Sequence, residues 1–302
     1  MSEEQNKTND CIENPANGVP LIIEPVEKDL GGFSVVRLLP FRKKRSVGPW
    51  IFFDHMGPAT FEPGQGMDVR PHPHIGLCTV TYIFEGGIYH RDSLGIVQAI
   101  GPGEINLMVS GKGIVHSERT GDEMRAAGHK MCGLQLWLAL PEKLQEIDPG
   151  FYHYPKTSIP GISKGDVDIR VLIGSAYGIE SPVKTFCETL YVEAAMPEGG
   201  KLIAPTNVPE LALYVVDGSV KANGVPVKQH QMAILESEAS VELVASEQSR
   251  IAFIGGESLG PRHIFWNLVS TSKERIEQAK ADWKADRFPK VPGETEFIPL
   301  PE

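Results

Sequence analysis

The sequence predicts an all-β protein built from two β-barrels, with a helix at the C-terminal end. Three observations predict it. Short apolar runs are separated by Gly and Pro along most of the chain, which holds 31 Gly and 24 Pro in 302 residues. The second half repeats the grammar of the first. Only the segment 272–286 has helical periodicity.

Residues 1–19 are acidic and polar, with nothing to build a core, and read as a mobile tail. A first barrel is expected over 20–150. Leu77 to Phe84 reads as a buried strand followed by the turn Glu85-Gly86-Gly87, and Gly101-Pro102-Gly103 and Gly111-Lys112-Gly113 bracket a strand over Glu104–Ser110. A second barrel is expected over 165–270, with strands at Thr185–Met196, Leu211–Val216, Gln231–Leu235, Val241–Ala245 and Arg250–Ile254 and a turn at Asp217-Gly218. Laid over one another, Tyr82-Ile83-Phe84-Glu85-Gly86 falls against Tyr214-Val215-Val216-Asp217-Gly218, and Gly103–Met108 falls against His230–Leu235. Two copies of one barrel unit would produce that match. The remainder, 271–302, reads as a helix and a Pro-rich tail. Thr271 and Glu274 have capping-box spacing, and Ile276, Ala279 and Trp283 share one helix face.

Charge and cysteine usage narrow the function classes. The formal net charge is −10 and the one dense basic run is Arg42-Lys43-Lys44-Arg45, which argues against direct nucleic-acid binding. Cys11, Cys78, Cys132 and Cys187 are scattered, with no CxxC pair, as expected in a reducing compartment. No signal-peptide core or long apolar run occurs, so the expected location is the cytoplasm, with no membrane contact.

The chemistry is concentrated in the first barrel. His55, His72, His74, His90 and His116 crowd into one stretch of the chain. In Pro71-His72-Pro73-His74, Pro73 excludes a helix; in a strand the two imidazoles share a face about 6.6 Å apart. The prolines place the segment at a strand start or sheet edge, because they donate no ladder hydrogen bond. His116-Ser117-Glu118 repeats the i, i+2 spacing directly after a Gly turn. Two such pairs on neighbouring strands supply three imidazoles and a carboxylate. That set suits one divalent first-row ion such as iron, manganese, nickel, zinc or copper. A single HxH more often belongs to ordinary polar or core histidines, but the two pairs together favour ligands. His90 ends a strand and is read as lining the pocket or supporting a ligand. His55 reads as a loop residue, and His129, His153, His230 and His263 as structural.

Several motifs resemble the pirin family. They are Phe53-Asp54-His55-Met56-Gly57-Pro58, the run from Pro71 to Tyr82, Gly111-Lys112-Gly113-Ile114-Val115-His116-Ser117-Glu118, and Gly133-Leu134-Gln135-Leu136-Trp137. The resemblance spans roughly residues 30–270. It implies a bicupin, two cupin-type barrels with metal in the first only, held by His72, His74, His116 and Glu118. The second barrel agrees, having only His230 and His263, far apart and with no HxH. The resemblance also implies a small-molecule substrate and ring-opening dioxygenation of a flavonol- or catechol-like chelator, the quercetin 2,3-dioxygenase reaction, with Glu118 as the catalytic base. Its alternative is an iron-dependent redox-sensing regulator that acts through a protein partner. Phe53, Cys78, His90 and Gln135 are the candidate pocket or ligand-supporting positions. Cys78 departs from the family, which usually carries Glu there. Strand parity with His74 would turn it inward, and a small core residue is the favoured reading. Gly256-Glu257-Ser258-Leu259-Gly260 also departs, so partner contacts there do not carry over.

Overall fold

A computed structural model describes residues 11–13, 17–29 and 33–301. The chain is all-β with two cupin-type barrels and a C-terminal helix, and it divides into two compact units that interleave along the sequence. One contains Met1–Lys28, Val36–Asp54 and Thr157–Ser258; the other contains Asp29–Val35, His55–Lys156 and Leu259–Glu302.

The second of these units carries His72, His74 and His116. Its four-stranded sheet runs Asp68–His74, Ile114–Arg119, Ile88–Asp92, Val97–Ile100, so the proline-bearing strand lies at an edge, as its missing N–H groups require. A larger sheet includes, in order, Gly150–Tyr154, Ile105–Val109, Leu77–Glu85 and His129–Ala139. One apolar cluster joins the two: Ile88 and Ile100 from the smaller sheet meet Ile83 and Met131 from the larger, with Met56, Phe61 and Met67. Burying such side chains stabilises by about 1.5–3 kcal/mol each.

The helix Lys273–Lys284 belongs to this unit. Its cap is Ser272, one residue later than the predicted Thr271: the Ser272 hydroxyl accepts from Arg275 N at 3.2 Å. Ile276 and Ala279 are buried against Ile75 and Leu268, as the face pattern predicts.

The other unit pairs an eight-stranded sheet with the four-stranded sheet Lys201–Ile203, Glu242–Ala245, Ser219–Ala222, Val225–Lys228. Val192, Leu213 and Phe253 from the first pack with Val220, Val227 and Leu243 from the second. The eight-stranded sheet begins Cys11–Glu13, Leu21–Ile23, Met232–Leu235. Two sequence expectations change here. Residues 20–28 and 36–54, placed with the histidine barrel by sequence order, belong to this unit, where Leu21–Ile23 pairs with Met232–Leu235, and residues 259–270, placed with the second barrel, belong to the histidine-bearing unit. Within the expected tail, Cys11–Glu13 is a strand and Val19 is a core residue, while residues 1–10 and 14–16 lie outside the described residues.

The internal repeat holds at the level of register. Ile105 pairs with Tyr82, and its counterpart Met232 pairs with Tyr214. Gly103 N donates to Ile83 O at 2.8 Å, and its counterpart His230 N donates to Val215 O at 2.8 Å. Gly103 and His230 both have positive φ, +82° and +64°. His230 thus occupies a turn position of the barrel unit. No helix among the described residues is long and apolar enough to cross a membrane.

Candidate metal centre

The Asp68–His74 and Ile114–Arg119 strands pair antiparallel with His72 directly opposite His116. Alternation puts His74 on the same face as His72. Ring centroids are 4.4 Å apart for His72–His116, 4.9 Å for His74–His116 and 5.0 Å for His72–His74. Each ring offers a nitrogen, and the three lie within 4.8 Å of one another; among the described residues no other three His, Cys, Asp or Glu side chains meet this way. The turn closing the Asp68–His74 strand depends on Gly76, at φ +68°, where a Cβ would lie 2.0 Å from Val269 O.

All three imidazoles are buried. Burial lowers the His72 pKa to about 4, against the opposing pull of the Arg70 carbonyl, and holds His74 and His116 well below the ordinary histidine value. Neutral rings are what a metal requires of its ligands. His72 Nδ1 donates to Arg70 O at 2.8 Å, because a carbonyl only accepts, and this leaves the Nε2 lone pair free. His74 Nε2 and His116 Nε2 are 3.1 Å apart. Two nitrogens bound at right angles about 2.1 Å from one ion would be about 3.0 Å apart. His74 Nδ1 is buried with no hydrogen bond of regular geometry; the Asn267 backbone is the polar group that influences it. The donor set and spacing fit a divalent ion.

Glu118 follows on the same strand. A register shift relative to the Asp68–His74 strand falls between His116 and Glu118, so Glu118 pairs with Val69. Its carboxylate is buried and accepts from Gln135 Nε2 at 3.4 Å, while Thr81 Oγ1 donates to Gln135 Oε1 at 2.7 Å. Burial raises the Glu118 pKa to about 7, the Gln135 hydrogen bond opposing it weakly. The three histidines form the cluster; Glu118 stands beside it, held by Gln135.

Trp137 meets the His74 ring edge-to-face at 5.3 Å, and Phe151 stacks on His90 at 4.4 Å. His90 is buried next to His116, their Nδ1 atoms 3.3 Å apart. Sequence reasoning missed Asp92, whose Oδ2 lies 3.0 Å from His90 Nε2, although the spacing His90-Arg91-Asp92 repeats the i, i+2 pattern of the ligand pairs.

The parity expected for Cys78 does not survive the turn between the two strands. Gln135 and Trp137 pair with Thr81 and Thr79, so these residues share the face turned to Glu118 and His74. Cys78, paired with Leu138, falls on the opposite face and is fully buried in the core. The cause is the turn at Ile75-Gly76, which ends one strand and resets alternation for the next. Phe53 lies in the core of the other unit, its ring 4.6 Å from Tyr214. His55 is in a strand rather than a loop, with Nε2 3.3 Å from Cys132 Sγ. His153 bonds Asn106 at 2.8 Å and His129 stacks on Phe61 at 4.9 Å, both structural contacts.

Comparison with known proteins agrees with the motifs. Residues 32–138 match the Pirin family and residues 191–289 match the Pirin C-terminal cupin domain. A pirin-like protein of Caulobacter vibrioides is 46% identical over 289 residues, covering 94% of this chain and all of the relative. A Pseudomonas aeruginosa protein, provisionally named a quercetin 2,3-dioxygenase, is 34% identical across 92% of this chain and 88% of its own. The crystal structure of a quercetin 2,3-dioxygenase from Acinetobacter baumannii superposes with a TM-score of 0.86 at 34% identity, covering 92% of this chain and 93% of that one. With both domains matched in order and relatives aligned nearly end to end, the chain belongs to the pirin family.

Proposed function

We propose that His72, His74, His116 and Glu118 hold one divalent ion, Fe(II) in the cell, and that the protein is a quercetin 2,3-dioxygenase-type enzyme acting on a chelating flavonol or catechol. The observation that carries this reading is the convergence of three buried, neutral imidazoles beside a buried carboxyl whose pKa is about 7. Relatives bearing that enzyme name, 34% identical, support the reaction class. Cys11, Cys78, Cys132 and Cys187 form no disulfide among the described residues, which supports a cytoplasmic setting.

A divalent ion there would supply Lewis acidity toward an enol-ketone or catechol oxygen pair and, as iron, redox contact with dioxygen. The chain's own contribution is proton handling and orientation. Glu118 is the chain's candidate base, accepting the substrate hydroxyl proton when its hold on the ion loosens. Gln135, itself fixed by Thr81, aims one Glu118 oxygen. Trp137 and Phe151 wall the histidines with apolar surface and keep water from them. Incubating iron-loaded protein with quercetin in air is the test. The expected result is loss of the flavonol absorbance that stops on chelation and is abolished in Glu118→Ala. Unchanged absorbance with a fully loaded site would refute the substrate class.

A further inference from the structure

Behind His116 a hydrogen-bonded chain continues away from the cluster. His116 Nδ1 lies 3.3 Å from His90 Nδ1, and His90 Nε2 lies 3.0 Å from Asp92 Oδ2. Asp92 Oδ1 accepts the main-chain amides of Leu94 at 2.9 Å and Ile96 at 3.1 Å. Asp92 is completely buried and His90 is 4% exposed, so water does not compete for these positions. Strand pairing sets the arrangement: Asp92 lies opposite His116, and His90 opposite Glu118.

We propose that Asp92 and His90 are positioning residues that select the metal-binding tautomer of His116; this rests on the metal-binding reading above. The reasoning begins at an atom that cannot donate. The Asp92 carboxylate only accepts, so the hydrogen between it and His90 sits on His90 Nε2. As a neutral ring carrying that single proton, His90 presents a lone pair at Nδ1. His116 must then donate from its own Nδ1. The lone pair of His116 is thereby fixed on Nε2, the atom that faces His74 Nε2 at 3.1 Å and the ion position. Each proton is set by the one before it, which is how an outer partner orients a metal-ligating histidine.

The relay makes a sharp prediction for Asp92→Asn, an isosteric change. The oxygen bonded by the Leu94 and Ile96 amides must remain an oxygen, since an NH2 there would face two donors. The new NH2 therefore points at His90 Nε2 and requires a lone pair there. The His90 proton moves to Nδ1, where it meets the His116 Nδ1 hydrogen. His116 must in turn carry its proton on Nε2, pointing into the ion site. His90→Leu removes the acceptor altogether. His90→Asn keeps one, because its Oδ1 occupies nearly the position of the imidazole Nδ1.

Two measurements test this on the full-length protein. Imidazole nitrogen–proton correlation spectra of metal-free, histidine-labelled protein read the tautomer directly. Wild type and His90→Asn should hold His116 in the Nδ1–H form, and Asp92→Asn in the Nε2–H form. Titration with Zn(II) should then show affinity about 10- to 100-fold weaker in Asp92→Asn and His90→Leu, with His90→Asn recovering most of the loss. A His116 Nδ1–H signal in Asp92→Asn, or wild-type affinity in both weakened variants, would overturn the relay. A wild type with His116 in the Nδ1–H form that binds no Zn(II) would instead overturn the metal reading and leave the relay standing. Should Asp92→Asn fail to fold, the contrast between His90→Leu and His90→Asn decides alone.

Discussion

Removing the Glu294 carboxylate is expected to loosen the strands that carry the histidines, although Glu294 lies far along the chain from them. Glu294 Oε1 accepts from Ser117 Oγ at 2.8 Å and from Arg119 Nε at 2.9 Å, and Oε2 accepts from Arg119 Nη2 at 2.7 Å. Four residues on, Ile298 N donates to Pro71 O at 2.8 Å, and Trp283 Nε1 donates to Ile298 O at 3.0 Å. Ser117 separates His116 from Glu118, and Pro71 precedes His72, so one segment of the tail ties both histidine-bearing strands. Glu294→Ala deletes three hydrogen bonds to a carboxylate, two of them from the Arg119 guanidinium. Their sum is not the cost, because Arg119 is one-fifth exposed and retains Glu296 at 3.2 Å and Asp68 at 3.4 Å. A loss of about 1–2 kcal/mol is expected, or roughly 2–6 °C in Tm.

The sign with pH is fixed as well. The Arg119 guanidinium holds the Glu294 carboxyl below its ordinary value, so the folded pKa is lower than the unfolded one. The contribution is present above the unfolded pKa and disappears as pH falls through the folded pKa. Melting of metal-free wild type and Glu294→Ala at neutral pH, then in acid, should give a gap that closes on acidification. Equal Tm values at neutral pH, or a gap that widens in acid, would refute the reasoning.

Two further outcomes follow from the site. Gly76→Ala places a Cβ 2.0 Å from Val269 O at a left-handed φ, where main chain cannot give way, and should lower stability by more than about 2 kcal/mol; a wild-type denaturant midpoint would contradict this. In metal-free protein the Glu118 pKa is raised to about 7, above its unfolded value, so its contribution is fully present below about 4.5 and is lost as pH rises toward 7 and beyond. Metal-free protein should lose up to about 3 kcal/mol across that window, and Glu118→Gln should flatten the profile; equal slopes in the two proteins would count against a buried carboxyl.

The sequence made the barrels legible because turn residues and apolar runs are local signals. The repeat could be read to the residue, Tyr82 against Ile105 and Tyr214 against Met232, because matched strands need matched registers. The edge position of Pro71 and Pro73 followed from their missing donors. What stayed hidden was set at long range. The pairing of Leu21–Ile23 with Met232–Leu235 leaves no trace in either segment, so the interleaving of the two units was out of reach. Cys78 was misplaced because parity was carried across Gly76, where the chain turns. His90 could be suspected from its neighbours, but the Asp92 contact depends on a strand end folding back to bond Leu94 and Ile96.

Elemental analysis of the protein purified without added metal tests the central claim most directly. Wild type is expected to retain close to one transition-metal ion per chain, and the variant with His72, His74 and His116 all changed to alanine to retain none while keeping its β-sheet circular dichroism. A folded triple variant that holds as much metal as wild type would contradict the assignment of the ion to these strands.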